Sequence, residues 1–247
     1  MADGVPLQAP AAGGRLALFM PSLAGGGAER IMLNLAAGFV ARGHVVDLVV
    51  AAPGGEYRDD VPGGVRLVDL GASKPLTAVP ALARYLRAVR PAALLTTIVN
   101  ANLAALWARR LSGVATRCVV REASTLSVEL AEGSALNRLL LPRLVARAFR
   151  GAAAIVAPSR GVADDFSRVT GLPRRSIEVI YNPVVSDALR ARARQPTGHR
   201  WLPGDGIPVI VGMGRLTRQK DFATLIRAFA RVRQGLPARL IVLGEGE

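Results

Sequence analysis

The chain has 247 residues, of which 51% are hydrophobic and 20% charged, and this balance excludes a disordered protein and indicates a substantial buried core. No apolar run approaches the roughly 20 residues that a spanning helix needs, and residues 1–15 lack the features of a signal peptide, so we expect a cytoplasmic protein. The net charge of +14 favours anionic partners, whereas the aromatic content of 4% argues against a stacking platform for single-stranded nucleic acid.

Short, continuously apolar runs alternate with helical patterns through the first two thirds of the chain. Strands covered by helices on both faces have such continuous runs, so the pattern predicts a doubly wound, mostly parallel, Rossmann-like α/β sheet. The predicted strands cover residues 15–20, 45–51, 65–69, 93–97, 117–120, 153–157 and 177–180. Helices are predicted over 28–42, over 77–90 and from a cap at Ser159.

A polar segment rich in arginine and proline, residues 186–206, follows this pattern and is interpreted as an interdomain linker. A new unit then begins, with strands over 208–213 and 238–243 and a helix over 222–234. The predicted domains are therefore 14–185, with 207–247 as the start of a second Rossmann-like domain. Because two strands and one helix cannot bury such a sheet, we expect this second domain to be incomplete.

Few residues suit thiol or metal chemistry. The single cysteine, Cys118, lies in an apolar run and is predicted to be a buried structural thiol. The two histidines, His44 and His199, are far apart and match no metal-ligand spacing, so no metal site is predicted. Asp47 lies inside the second strand rather than at its end, which disfavours the dinucleotide-binding role of an acidic residue there.

The loop after the first strand contains Gly25, Gly26 and Gly27, followed by Glu29, and leads directly into a helix. Glycines allow close approach of the backbone to a ligand, and a helix N-terminus offers N–H groups to phosphates or sugar hydroxyls. The alternative is a flexible turn that binds nothing. The spacing does not match the dinucleotide fingerprint G-x-G-x-x-G.

A second loop of this kind, residues 212–221, separates a strand from a helix in the second unit and carries Arg215 and Lys220. Open α/β sheets bind ligands at the carboxyl ends of their strands, where two cations can hold a diphosphate. The alternative is a solvated basic turn.

Taken together, these segments resemble the retaining glycosyltransferases of family 4 (group 1), which have the GT-B fold. The resemblance is carried by residues 25–30, by Val156-Ala157-Pro158-Ser159, by residues 179–184, by residues 212–220 and by Leu243-Gly244-Glu245-Gly246, in that order. It covers nearly the whole chain after about Gly14, and several such segments together are more specific than any one of them.

The resemblance implies an acceptor-binding N-terminal domain, a C-terminal domain that binds a nucleotide-sugar donor, and transfer with retention of the anomeric configuration. It implies that Arg215 and Lys220 bind the donor diphosphate and that the glycine loop, with Glu29, faces the phosphates and the acceptor. No cofactor or metal is implied. The expected partners are a nucleotide sugar and a glycan or lipid-linked acceptor of the cell envelope, and no nucleic acid.

Two features depart from the family pattern. Its pair of glutamates eight positions apart has no counterpart in these 247 residues, since Glu245 and Glu247 belong to a glycine turn. Where many members have a histidine near the end of a strand, this chain has Arg121 and Glu122. These two residues either take over its contact with the sugar, as candidate catalytic residues, or form a surface ion pair.

Arg143, Arg147 and Arg150 are spaced to form one basic stripe on a helix, either a solvated face or a contact with an anionic membrane at its inner face. Two interpretations compete with a transferase. One is a non-catalytic glycan- or phosphate-binding fragment that needs a partner for the missing half. The other, led by charge, is a nucleic-acid-binding protein.

Overall fold

The computed structural model describes residues 14–52, 54–202 and 205–246. Residues 1–13, part of the predicted linker and Glu247 lie outside the described residues, and so do the expectations for them. The chain divides into two compact units with a boundary between Val184 and Val185. The elements of the first unit are β1 (Arg15–Met20), α1 (Gly27–Val40), β2 (Val45–Val50), β3 (Val65–Asp69), α2 (Val79–Val89), β4 (Ala93–Thr97), α3 (Val99–Ser112), β5 (Arg117–Arg121), α4 (Leu126–Glu132), α5 (Ala135–Phe149), β6 (Ala154–Ala157), α6 (Arg160–Thr170) and β7 (Ile177–Val179).

The seven strands form one sheet in the order β3-β2-β1-β4-β5-β6-β7, with every neighbouring pair parallel. β1 lies near its centre, where Leu18 pairs with Leu48 of β2 and Leu95 of β4. The predicted doubly wound α/β fold is confirmed, because the chain builds outward from β1 on one side and from β4 on the other.

Both faces of the sheet are covered, which explains why its strands are apolar throughout. Side chains alternate along β1: Leu16, Leu18 and Met20 pack with α1, whereas Ala17 and Phe19 belong to the larger core formed with α2 and α3. An interior with both cores filled in this way holds the loops at the carboxyl edge in fixed positions.

Local signals set the ends of the helices. The hydroxyl of Ser159 accepts a 3.2 Å hydrogen bond from the backbone N–H of Val162, which confirms the predicted cap of α6. That helix ends at Gly171, whose φ of 73° is the left-handed conformation typical of a terminating glycine.

Asp47 is buried in the middle of β2. Its carboxylate accepts hydrogen bonds from Arg15 (2.6 Å), Arg66 (2.9 Å to Nε) and the Tyr85 hydroxyl (2.6 Å). Burial raises the pKa of this carboxyl, but the hydrogen bonds from Arg66 and Tyr85 outweigh it and the pKa is lowered overall. Asp47 therefore ties β1, β3 and α2 together.

Cys118 is buried and free, as predicted, and burial raises its pKa to about 12.

The second unit contains α7 (Asp187–Ala193), β8 (Val209–Met213), a 3₁₀ turn (Arg218–Lys220), α8 (Phe222–Val232) and β9 (Arg239–Leu243). β8 and β9 pair in parallel. The segment predicted as a linker thus contains a helix, which begins at a Ser186 hydroxyl that accepts a hydrogen bond from Leu189 N–H. Apolar side chains such as Met213 and Ile226 are exposed in this unit.

Candidate functional site

The strand order of the sheet reverses between β1 and β4, and β5 lies beside β4. From β1 the chain runs outward to β2 and β3, then returns to β4 on the opposite side. Loops that leave neighbouring strands at such a point diverge to opposite faces, and the crevice between them is where open α/β sheets bind ligands. The glycine loop follows β1, and Arg121 and Glu122 end β5, so two strand spacings, about 10 Å, separate them along the carboxyl edge of the sheet.

One position of the glycine loop has a backbone conformation that favours glycine. Gly25 has a φ of 97°, which side-chain-bearing residues rarely adopt, and a Cβ there would overlap the carboxylate of Glu56. Gly26 precedes α1 and offers no side chain to cap it. Because the first N–H groups of a helix have no intrahelical acceptor, they are available as donors at this edge.

Glu29 lies in the first turn of α1 and folds back over this loop. A Cβ on Gly26 would overlap its carboxylate, so the carboxylate lies beside Gly26, the residue immediately before α1. Donors and an acceptor side by side suit a hydroxyl group, which donates and accepts at once, whereas a phosphate would be repelled by the carboxylate. This pairing favours a sugar hydroxyl of the acceptor at the loop, and the contact with donor phosphates stays a prediction.

A segment that sequence reasoning missed, residues 54–57, supports the loop. The Tyr57 N–H donates to the carbonyl of Leu23 (3.0 Å), and Gly55 has a φ of 124° at a place where a Cβ would overlap that carbonyl. The Arg30 guanidinium lies 4.0 Å from the Tyr57 ring centroid and 2.6 Å from Asp60. The glycine-rich run after β2 was the available signal.

Arg121 and Glu122 are both buried, so their interpretation as a surface ion pair is wrong. The two side chains are 4% and 2% exposed, and the described residues include no ion pair between them. The physical reason is the alternation of side chains along a strand, which sends neighbours to opposite faces. Their role in catalysis stays a prediction.

Arg121 connects three segments of the carboxyl edge. Its guanidinium donates to the hydroxyl of Thr97 at the end of β4 (2.8 Å) and to the side-chain carbonyl of Asn182 after β7 (2.7 Å). The next residue, Pro183, accepts a hydrogen bond from the Asn34 side chain on α1 (2.9 Å). These hydrogen bonds hold residues 179–184 at the edge of the sheet where the site lies. Residues 179–184 are one of the segments that carry the family resemblance.

Glu122 is a buried carboxyl held by a helix. The Asn102 side chain on α3 donates to its Oε1 (2.9 Å) and to the carbonyl of Arg121 (3.0 Å). Burial raises the pKa of Glu122 to about 8, although the Asn102 hydrogen bond acts in the opposite direction. Glu122 is therefore mostly neutral at pH 7. No sequence motif singles out Asn102, which sequence reasoning missed.

The backbone between β4 and α3 is strained at the same edge. Ile98 has a φ of 73° and a ψ of 134°, a conformation that is a genuine outlier for a β-branched residue. Such strain clusters at ligand-binding positions, and Ile98 follows the strand beside the reversal of strand order. It carries no signal in the sequence.

In the second unit, the residues predicted to bind a diphosphate lie on a glycine-rich turn after β8. Arg215 and Lys220 are exposed, and neither forms an ion pair within residues 205–246. A Cβ on Gly244, after β9, would overlap the carbonyl of Gly214, and Leu216 N–H donates to the carbonyl of Glu245 (2.7 Å). Two further segments of the resemblance are thus packed together, with two exposed cations beside them.

The structure brings the predicted residues together within each unit, since the glycine loop and Arg121 share one edge and Arg215 and Lys220 share one turn. Within the described part of the chain, no three His, Cys, Asp or Glu side chains form a metal-binding group. No helix in the same part is long and apolar enough to cross a bilayer.

Comparison with known proteins places this arrangement in a family. A family described as "Glycosyl transferase 4-like domain" matches residues 26–183, more than half of the chain. A curated relative from Campylobacter jejuni, N-acetylgalactosamine-N,N'-diacetylbacillosaminyl-diphospho-undecaprenol 4-alpha-N-acetylgalactosaminyltransferase, is 28% identical over 243 residues, which cover 94% of this chain and 63% of that protein.

Solved structures share the fold. Anabaena HepE in complex with UDP aligns with a TM-score of 0.68 at 20% identity, over 94% of this chain and 61% of HepE. The lipopolysaccharide outer core galactosyltransferase WaaB aligns with a TM-score of 0.61 at 17% identity, over 94% and 61%. The chain thus spans somewhat less than two thirds of the length of these proteins. On the family match, it belongs to the glycosyl transferase 4-like family.

Proposed function

We propose that the protein is a glycosyltransferase that moves a sugar from a nucleoside diphosphate donor to a glycan or lipid-linked acceptor in the synthesis of a cell-envelope polysaccharide or glycolipid. The observation that carries the proposal is the pair of exposed cations, Arg215 and Lys220, on a turn at the carboxyl end of a parallel strand. The family membership of residues 26–183 supports it.

The donor is assigned to the second unit by charge. A diphosphate presents several anionic oxygens, which an arginine fork and a lysine ammonium bind by charge-assisted hydrogen bonds. Arg215 and Lys220 have no competing carboxylate partner within the described second unit, so their charge is available. The neighbouring HepE structure is a complex with UDP, which is consistent with a nucleoside diphosphate here.

The acceptor is assigned to the first unit by hydrogen bonding. The N–H donors at the start of α1 and the carboxylate of Glu29 suit sugar hydroxyls. The name of the Campylobacter jejuni relative describes an acceptor linked through a diphosphate to undecaprenol. We propose a lipid-linked glycan of this chemical class, met at the inner face of the membrane by a cytoplasmic protein, with no nucleic acid partner.

In the reaction, the bond between the anomeric carbon and the donor phosphate oxygen breaks, an acceptor hydroxyl oxygen forms the new bond, and the hydroxyl proton passes to the departing diphosphate. The departing nucleoside diphosphate gains negative charge in the transition state, which fixed cations at Arg215 and Lys220 stabilise. Side chains thereby take the role that a metal ion has in other transferases, and we propose that no metal or other cofactor takes part. Retention of the anomeric configuration follows from the family resemblance.

Binding of nucleoside diphosphates tests the donor site directly. We expect titration calorimetry to detect binding of a nucleoside diphosphate that the corresponding nucleoside does not reproduce. The variant Arg215→Ala/Lys220→Ala should weaken it at least about tenfold, since each charge-assisted bond is worth roughly 1.5–3 kcal/mol. Arg231→Ala, an exposed arginine of α8 outside the turn, serves as the control. Unchanged binding in the double variant would remove these residues from the donor site.

A further inference from the structure

Helix α5 differs from an ordinary surface helix. Its inner face is conventional: Val145, Ala146 and Phe149 are buried, and the Phe149 ring lies 5.2 Å from that of Phe166 on α6. The opposite side of a surface helix is normally polar. In α5 the opposite side is apolar over half its length.

Four leucines of α5 are exposed to solvent. Leu136 is 64% and Leu139 59% exposed, and Leu140 and Leu144 are exposed as well. At 100° per residue Leu136, Leu140 and Leu144 fall on the side opposite the buried residues of α5, whereas Leu139 lies at the edge of that side, near Ala146. We call the four leucines the leucine cluster. A helix that is apolar on both sides is stable in contact with a second apolar phase.

The second half of the same outward side is basic. Arg143, Arg147 and Arg150, called here the arginine stripe, continue the line of the leucine cluster. The segment 135–150 contains four arginines and no aspartate or glutamate. The guanidinium of Arg143 also reaches the carbonyl of Leu139, at 3.4 Å. The outward side therefore combines exposed leucines with arginines, and the arginines predominate toward the end of the helix.

From these features we infer that the outward side of α5 docks on an anionic lipid bilayer, with the leucine cluster in the interfacial region and the arginine stripe at the lipid phosphates. Interfacial helices lie in the membrane plane with their apolar side roughly 5–10 Å deep, and arginines beside that side are long enough to keep their guanidinium groups at the phosphates. The biological purpose of the contact, access to a lipid-linked acceptor, rests on the proposed function, whereas the contact itself does not.

The charge pattern favours a bilayer over a second copy of the chain. Two copies that met through this side with twofold symmetry would bring equivalent surfaces together, including both arginine stripes, with no acidic residue on the segment to balance them. An anionic membrane supplies the opposite charge, and each basic residue near its surface contributes about 1 kcal/mol of favourable binding free energy. The net charge of +14 adds a long-range attraction in the same direction.

Co-sedimentation with vesicles tests the inference. We expect the protein, as the 247-residue chain and at full length, to bind vesicles of phosphatidylglycerol and phosphatidylcholine but not vesicles of phosphatidylcholine alone. The variant Leu136→Ser/Leu139→Ser/Leu140→Ser should bind at least about tenfold more weakly, because each leucine loses apolar burial. Arg143→Glu/Arg147→Glu should have a similar effect.

Matched control variants distinguish a specific effect of the α5 surface from a general effect of net charge or hydrophobicity on vesicle binding. Leu76→Ser/Leu189→Ser/Leu236→Ser removes three exposed leucines from other surfaces, and Arg84→Glu/Arg231→Glu makes the same change in net charge elsewhere. Both should bind vesicles within about twofold of the unmodified protein. Equal losses of vesicle binding in the test and control variants would overturn the inference. Vesicle binding by the full-length protein that does not change in the α5 variants would also overturn it. So would a leucine variant that loses self-association and not vesicle binding.

The inference and the proposed function fail separately. Arg215→Ala/Lys220→Ala should keep vesicle binding while losing nucleoside diphosphate binding, and the leucine variant should keep nucleoside diphosphate binding. A protein that binds vesicles through α5 but binds no nucleoside diphosphate would contradict the proposed function alone. A protein that binds nucleoside diphosphates, but whose vesicle binding does not change in the α5 variants, would contradict the inference alone.

Discussion

The side-chain amide of Asn102 on α3 donates a 2.9 Å hydrogen bond to the buried carboxyl of Glu122, at the end of β5. The same amide donates to the backbone carbonyl of Arg121 (3.0 Å). One helix residue therefore holds the end of the strand on which both candidate catalytic residues lie.

Replacing Asn102 with alanine should destabilise the protein by roughly 1–3 kcal/mol, because a buried carboxyl and a strand-end carbonyl lose their donor. The substitution should also raise the pKa of Glu122 further, since the hydrogen bond from Asn102 lowers it. Urea unfolding measures the first effect. Asn100→Ala, an exposed residue on the same helix, is the control and should change stability by less than about 0.5 kcal/mol.

The pKa of Glu122 should make stability depend on pH. Burial raises this pKa from 4.5 to about 8, so the folded state holds a proton that the unfolded state releases between those values. Below pH 4.5 the carboxyl is protonated in both states and does not oppose folding. As the pH rises from 4.5 to about 8, the free energy of unfolding falls, because unfolding releases this proton. Above that pH the contribution of Glu122 stays constant.

Urea unfolding of the unmodified protein and of Glu122→Gln, at pH values from about 5 to 9, isolates this contribution. The variant should become more stable relative to the unmodified protein by roughly 2–4 kcal/mol over that range. A difference between the two proteins that does not change with pH would show that Glu122 titrates normally.

Asp47 supports the sheet beneath the site, and Asp47→Ala should be destabilising. The carboxylate is fully buried and bound by Arg15, Arg66 and Tyr85, which would lose their common partner. Because the Arg15 and Arg66 side chains are 36% and 53% exposed, the main cost is the buried Tyr85 hydroxyl left without its partner, roughly 1–3 kcal/mol. Thermal unfolding should show a fall in Tm, whereas the exposed Asp59→Ala should leave Tm nearly unchanged.

Gly55 should be intolerant of a side chain although it lies outside the glycine loop. Its φ of 124° and the overlap of a Cβ with the Leu23 carbonyl predict that Gly55→Ala displaces the loop. Gly63→Ala, where a Cβ meets open space, is the matched control. We expect stability to fall by at least about 1 kcal/mol in the first variant and to change little in the second. Equal stability of the two variants would show that the close approach of Gly55 to the Leu23 carbonyl does not support the loop.

Much of the fold was predictable because it depends on local patterns. Apolar runs such as residues 15–20 and 45–51 predicted the parallel strands, and Ser159 predicted the start of α6. Helix α7 was missed, since it lies in a polar segment rich in arginine and proline that has no apolar period.

The candidate site was less predictable because its contacts join residues far apart in sequence. Asn102 and Glu122 are 20 positions apart, and Arg121 and Asn182 are 61. Arg121 and Glu122 are adjacent and oppositely charged, which suggested an ion pair, but both are buried with other partners. The unusual backbone of Ile98 has no signature in an amino-acid sequence.

The most direct test of the proposed glycosyl transfer measures release of nucleoside diphosphate by the full-length protein. A panel of nucleoside diphosphate sugars would be supplied with and without a lipid-linked glycan acceptor. We predict that one donor is consumed in an acceptor-dependent way, that NMR shows the product to retain the anomeric configuration, and that Arg215→Ala/Lys220→Ala abolishes release while remaining folded. Binding of nucleoside diphosphates with no transfer from any donor would contradict the proposal and favour a non-catalytic binding module.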